Sequence, residues 1–411
     1  MMQKTKIVNH LGTLALLLIL LNTSTIYTYY YQNIGYFFLI FGGLIALFLL
    51  FFVNKLTISD ALFKILVFLT MIIIFGLLST VSSSTLSLIF KILILFSLIY
   101  SFSATGIEFS SILLKVLKIF AIWALLNQFF FYTGLLNLLP VTATYQSWKP
   151  FNLYLFFFYD SFSGITLFGT RYMRMSAPFS EPGVLAVFLN MGMFISLWLT
   201  PKGYKRNCWI LIFFISLLLC MSSWGLIMLL IQFLCFLIKR EKVFLTICSA
   251  FIAVIIGILL ISQKYGSFSY YDRLMDLSDM FNQAIIHLPI GRGLGESEEY
   301  TRIDAVTGLQ YNMVGNYTGL LTPFLDFGIG SIYYYYLLIL GARYFTSNKR
   351  INRYIFVSLL ILMLGSLLTE PLSLSTIYLS ILCNGVINQS QSKKLTHYKS
   401  QAQRFSKLRC K

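Results

Sequence analysis

The sequence predicts an all-α, polytopic integral membrane protein of about 12 transmembrane helices with two long extracytoplasmic loops. Three observations predict it. The 411 residues are 58% hydrophobic and 11% charged, with a mean hydropathy of +0.80, whereas a soluble domain carries about 25% charged residues. Apolar segments of about 20 residues, the length that crosses a bilayer, recur from end to end. Threaded in alternation, those segments leave 23 of the 31 Lys and Arg on one side. A soluble enzyme and a nucleic-acid-binding module are excluded.

In order, the spans fall near 11–30, 34–53, 61–79, 86–104, 112–136 and 183–200, then 207–222, 224–238, 243–262, 316–341, 354–369 and 371–388. Lys4 and Lys6 before the first apolar run resemble a signal peptide, but apolar segments continue throughout, which favours an uncleaved anchor. Ser222-Ser223-Trp224-Gly225 divides the seventh span from the eighth. Without that break the count is eleven, and the most basic loops and tail would lie outside. With it, the positive-inside rule puts both termini in the cytoplasm. Residues 1–388 form one membrane domain, and 389–411 form a polar, basic cytoplasmic tail, mobile near anionic headgroups. Of six cysteines, five lie in or beside apolar segments and Cys410 in the tail, so free, mostly buried thiols are expected.

Two loops are long, about 137–182 and 263–315, both outside, and long loops in a compact bundle are usually functional. In the first, Phe151, Tyr154, Leu155 and Phe158 have the spacing of a helix lying at the lipid–water boundary. It ends in Arg171-Tyr-Met-Arg174-Met-Ser-Ala-Pro-Phe-Ser-Glu181-Pro182-Gly183. Arg171 and Arg174, three apart, would share a helix face, and two guanidiniums suit the oxygens of a pyrophosphate. A lipid headgroup or a loop carboxylate is the plainer partner. Glu181 opens the next helix, where it suits the dipole, pairs with an arginine or serves as a general base.

The second loop carries a short helical pattern and then Pro289-Ile290-Gly291-Arg292-Gly293-Leu294-Gly295. The glycines form a turn presenting Arg292 to the same anion; no strand–helix context supports a nucleotide loop. Asp272, Asp276 and Asp279 share a helix face, which reads as a solvated surface or, less simply, a divalent-ion site. His287, the one histidine away from the termini, reads as structural or as a base for a sugar hydroxyl. Intramembrane carboxylates are functional candidates by default. Asp326 lies about a third of the way into its span, where it would line a cavity. Glu370, before Pro371, reads as a solvated helix end.

The chain resembles the Wzy-type O-antigen and capsular polysaccharide polymerases and the related O-antigen ligases. The resemblance rests on the Arg-containing run into Phe179-Ser180-Glu181-Pro182-Gly183, on His287 through Gly295, and on Asn316-Tyr317 through Asp326-Phe327-Gly328-Ile329-Gly330. These motifs cover about a sixth of the chain and stand in the family's order; topology matches the rest. Gly315 stands where the ligases carry a histidine before the asparagine, which favours polymerase over ligase. Trp224 stands where the family often has arginine, so no role for an arginine carries over there.

The resemblance implies a glycosyltransferase of the bacterial inner membrane, acting in lipopolysaccharide or capsule biosynthesis. It would move a growing glycan from undecaprenyl pyrophosphate onto the sugar of another lipid-linked repeat at the outer face. A flippase and a chain-length regulator would be pathway partners. Arg171, Arg174 and Arg292 would hold the pyrophosphate, His287 or Glu181 would take the acceptor's proton, and Asn316 and Asp326 would support. Tyr29-Tyr30-Tyr31-Gln32-Asn33, between the first two spans, holds no acid, so the expected chemistry uses no metal and no other cofactor. A flippase or other transporter is the competing class; it would concentrate ionisable residues within the spans, whereas here they gather in the outer loops.

Overall fold

A computed structural model of the chain describes residues 2–22, 25, 32–51, 59–78, 83–141, 143–145, 151–154, 157–160, 164–167, 170–241, 244–245, 247, 249, 251, 277–278, 280–293, 299–303, 310–314, 319–345, 353–370, 372 and 374–409. The protein is mainly helical. The helices are α1 (Met2–Leu21), α2 (Gln32–Leu50), α3 (Ser59–Leu78), α4 (Ser83–Ala104), α5 (Phe109–Tyr132), α6 (Pro182–Phe194), α7 (Tyr204–Cys220) and α8 (Ser223–Lys239). After the second loop come α9 (Thr322–Phe327), α10 (Ser331–Phe345), α11 (Arg353–Thr369) and α12 (Thr376–Arg409).

Four stretches are long and apolar enough to cross a membrane: Thr85–Ala104, Phe109–Tyr132, Pro182–Leu199 and Thr322–Phe345. Thr5–Leu21, Ile34–Leu50, Ser223–Lys239 and Arg353–Leu368 are apolar but shorter. This is a membrane protein, but about 12 full-length spans are not found among the described residues. Most of predicted span 243–262 lies outside those residues. The first span ends at Leu21 rather than near 30, and Thr25 instead makes an antiparallel bridge with Phe179. The span predicted at 316–341 is found as Thr322–Phe345, interrupted by a 3₁₀ turn, Gly328–Gly330, between α9 and α10. The basic tail continues the last helix: α12 runs unbroken to Arg409, since no Gly or Pro follows Gly385 to stop it.

Helix boundaries follow local chemistry. Met221 takes a left-handed conformation (φ 45°), and Ser222 caps α8, its hydroxyl accepting from the Gly225 N–H at 3.3 Å. That is the break expected from Ser222 to Gly225. Among the described cysteines, Cys220 and Cys383 are buried and Cys208 and Cys235 half-buried, all free. One apolar core joins the bundle; within it Phe120, Phe179 and Phe188 stack and cross at 4.4–5.7 Å.

The two long loops carry β-strands, the second beside a short helical stretch over 280–286. The first folds as an antiparallel three-stranded sheet, β1 (Ala143–Tyr145), β2 (Phe151–Tyr154) and β3 (Phe157–Asp160), and a hairpin, β4 (Gly164–Leu167) with β5 (Thr170–Met173). The second carries the hairpin β6 (Glu299–Ile303) with β7 (Gln310–Val314). The all-α class stands for the bundle, with these strands added in the loops, and the interfacial helix expected over 151–158 is corrected. Six of the ten residues from Phe151 to Asp160 are aromatic, so their spacing fits any period, and aromatics favour strands.

Candidate functional site

The arginine-bearing loop is clamped to α5 by amide side chains. Asn127 exchanges two hydrogen bonds with the Phe158 backbone: its Nδ2 donates to the carbonyl at 3.2 Å, and its Oδ1 accepts from the N–H at 3.0 Å. One residue on, Gln128 Nε2 donates to the Met173 carbonyl at 2.7 Å, and the Met173 N–H donates to the Tyr132 hydroxyl at 3.2 Å. Asn127, Gln128 and Phe158 are all buried. The chain then crosses to α7, where the Met175 N–H donates to the Leu219 carbonyl at 3.0 Å.

Arg171 and Arg174 do not share a helix face. Arg171 lies in β5, paired with Thr166 of β4, and its side chain lies outside the described ones. Arg174 follows the strand, half-buried, within electrostatic reach of Cys220 at the end of α7. The strand preference of the Thr170–Met173 stretch overrides the three-residue spacing.

Glu181 is the N-cap of α6 with extended backbone (φ −135°, ψ 142°); its carbonyl accepts from Leu185 at 3.2 Å, and its side chain makes no capping bond to the helix. Pro182 occupies the first helical turn, as its missing N–H allows. Beside it stands Glu370, which is 4% exposed. Its carboxylate lies so close to Gly183 that a β-carbon there would come within 1.9 Å of Oε1. Glu370 is therefore not a solvated helix end. Its position at the start of α6 places negative charge where the helix dipole favours it.

Below it runs a polar seam. Asn190 Nδ2 donates to the carbonyls of Ala186 and Gly225 at 2.9 and 3.0 Å, and Gln232 Nε2 donates to Asn190 Oδ1 at 2.9 Å. Gly183, Asn190, Ser222, Trp224, Ser366 and Glu370 border a cavity of about 10 Å³, room for one water at most. The hydrogen bonds of the seam tie α6 to α8, and Ser366 of α11 borders the cavity beside them.

The second loop docks by its backbone. Helical turns over 280–286 pack Met280 and Ala284 on Leu325 and pass into a turn in which the Gly291 N–H donates to the His287 carbonyl at 2.6 Å. The Arg292 N–H donates to the Leu325 carbonyl at 2.7 Å. Gly291 (φ +76°) and Gly328 (φ +53°) face each other: a β-carbon on either would stand 2.5–2.6 Å from the other segment's backbone. Only glycine fits both the dihedral and the approach. This contact puts Arg292 beside buried Asp326, whose carboxylate feels the guanidinium charge. Asp326 sits one residue before the end of a six-residue helix.

The two loop motifs meet one connecting segment. Gly319 and Leu320 donate to the carbonyls of Glu370 and Leu367 at 3.2 and 2.9 Å, and the same segment, seven residues on, carries Asp326. Arg174, Glu181, Glu370, Asp326, Arg292 and half-buried His287 thus stand at one end of the bundle. Asn316 and the aspartates 272, 276 and 279 lie outside the described residues, and among those described no group of three His, Cys, Asp or Glu could hold a metal. Sequence reasoning passed over Asn127, Gln128, Asn190, Gln232 and the burial of Glu370. The available signal was an amide or carboxylate within an apolar run, where an unsatisfied polar group is costly. Chemically, the arrangement offers guanidiniums for an anion beside carboxylates and an imidazole that can take protons. No family model matches the chain, and no curated protein or solved structure matches it either.

Proposed function

We propose that this protein is a polysaccharide polymerase of the Wzy type, an oligosaccharide repeat-unit glycosyltransferase at the outer face of a bacterial inner membrane, with both termini cytoplasmic. The observation that carries the reading is the backbone anchoring of two arginine-bearing segments at one end of an apolar bundle. Met175 is tied to Leu219, and Arg292 to Leu325. Held there, Arg174 and Arg292 suit a pyrophosphate at the membrane surface, because fixed donors stabilise charge as it develops without reorganising.

In the reaction, the bond between the donor sugar's anomeric carbon and the pyrophosphate oxygen breaks, and that carbon bonds to a hydroxyl of the acceptor repeat. The hydroxyl proton passes to His287 or Glu181, and undecaprenyl pyrophosphate departs with the electron pair, its charge met by Arg171, Arg174 and Arg292. Energy stored in the donor bond drives transfer, so no nucleotide is consumed. Asn316 and Asp326 support, the latter by fixing Arg292.

The test is the surface-polysaccharide ladder of a strain lacking this gene. Expected is a single repeat on the lipid core, restored to a ladder by wild type and not by an Arg174→Ala, Arg292→Ala double variant that reaches the membrane in equal amount. Complete loss of glycan from the core would replace the reading with a ligase. Accumulation of lipid-linked repeats inside would replace it with a flippase.

A further inference from the structure

The opposite end of the bundle holds a second cationic site. α6 starts beside Glu370, and its continuation to Leu199 places that residue about 27 Å away at 1.5 Å per residue. The last turn, Ile195–Leu199, is a π-helix, a form that recurs at functional sites. Thr200 closes it, its N–H and hydroxyl both donating to the Ile195 carbonyl at 3.0 and 3.1 Å. Against this turn opens a cleft of about 510 Å³ bordered by Trp198, Lys202, Arg206, Phe236, Lys239 and Arg240.

Two of the four cations are placed by rings, and Arg206 donates to the neutral Asn207 Oδ1 at 3.3 and 3.4 Å. The Lys239 ammonium stands 5.0 Å over the Trp198 ring and the Arg240 guanidinium 5.2 Å over Phe236. The two rings meet edge-on at 5.6 Å. A ring face attracts a cation without neutralising it. None of the cleft-lining residues is acidic, and among the described residues none of the four cations has a carboxylate partner. Trp198 adds a buried indole N–H with no acceptor among the described residues. Four like charges gathered at one cleft, with an unspent donor on a residue that borders it, call for an anion. Leu197, Leu199 and Phe236 at the same cleft make the surroundings apolar, which suits an anion carrying acyl chains over a soluble one.

We propose that this cleft binds the headgroup phosphate of an anionic phospholipid, with Arg206, Lys239 and Arg240 meeting the phosphate, Lys202 at the rim and Trp198 as the interfacial anchor. The site lies at the far end from Arg174 and Arg292, so it fastens the bundle to its bilayer and takes no part in glycosyl transfer.

The test uses the full-length protein in nanodiscs and in detergent, with retained lipid counted by native mass spectrometry. Wild type should keep one phosphatidylglycerol in preference to phosphatidylcholine. An R206Q/K239Q variant should bind it about 25-fold more weakly, roughly fivefold per cation removed from a membrane surface. R206K/K239R should retain it, which separates lost charge from a lost fold. Equal retention of both lipids by wild type would overturn the proposal, as would unchanged binding by R206Q/K239Q. Displacement of the lipid by millimolar inorganic phosphate would overturn it in favour of a soluble anion. The sugar ladder is unaffected by these results, so the two proposals fail separately.

Discussion

The carboxylate of Glu370 lies over Gly183, and a β-carbon at residue 183 would stand 1.9 Å from Oε1 and 2.8 Å from Cδ. Glycine at the second residue of α6 is therefore a packing requirement set by a residue 187 positions away. Gly183→Ala must push a buried carboxylate aside, and overpacking of this kind costs roughly 1–3 kcal/mol. Expected is a lower thermal midpoint for Gly183→Ala and for Glu370→Ala, with a double variant less impaired than the two losses summed. Strict additivity would show that the two residues are not in contact.

The facing glycines Gly291 and Gly328 give a sharper test, because both neighbours are backbone. Gly328→Ala would place its β-carbon 2.5 Å from the Gly291 nitrogen at φ +53°, combining a clash with a strained dihedral of roughly 1–3 kcal/mol. The turn carrying Arg292 should come off Leu325. Limited proteolysis should then cut near 280–293 at least tenfold faster than in wild type, by the usual conversion of about 1.4 kcal/mol per factor of ten. An unchanged cutting rate would refute the docking.

How much of this could be read from the chain depends on which residues are considered. The apolar helices α2 to α8 and the break at Ser222–Gly225 were legible, because burial in lipid and a serine cap leave local marks. The Arg174–Gly183 and His287–Gly295 motifs were visible as charge and glycine in an uncharged background. The strands were not, since a stretch as aromatic as Phe151–Asp160 has no single period. Nor was the burial of Glu370, which follows from packing α11 on α6, a contact between segments far apart in sequence. Arg171 and Arg174 show the same limit. Their spacing fitted a helix, and pairing across to Thr166 decided otherwise.

Asn127 shows what the clamp on the first loop is worth. Replacing it with leucine keeps α5 apolar but strands the N–H and carbonyl of buried Phe158, and each unsatisfied group costs about 1–3 kcal/mol. Asn127→Leu should lower the thermal midpoint and loosen the sheet β1–β3, read as faster amide exchange at residues 151–160. Asn127→Gln, with the same groups one carbon further out, should fail in the same direction. Full protection in both variants would show that the sheet holds itself without α5.

Arg174 tests the proposed chemistry most directly, because its backbone is pinned on both sides, by Gln128 on Met173 and by Leu219 on Met175. Truncating the side chain should leave the loop in place. Arg174→Ala should then slow transfer by roughly tenfold to a hundredfold, the equivalent of one charge-assisted hydrogen bond of about 1.5–3 kcal/mol. Arg174→Lys keeps the charge but loses the planar fork, and should recover only part of that rate. Both are measured as single-turnover transfer from a lipid-pyrophosphate donor in nanodiscs, with the thermal midpoint checked alongside. If lysine restores the full rate, a point charge suffices and the fork is not the recognition element. If alanine leaves the rate unchanged while the midpoint falls, Arg174 belongs to the packing of α7 and the pyrophosphate is held elsewhere.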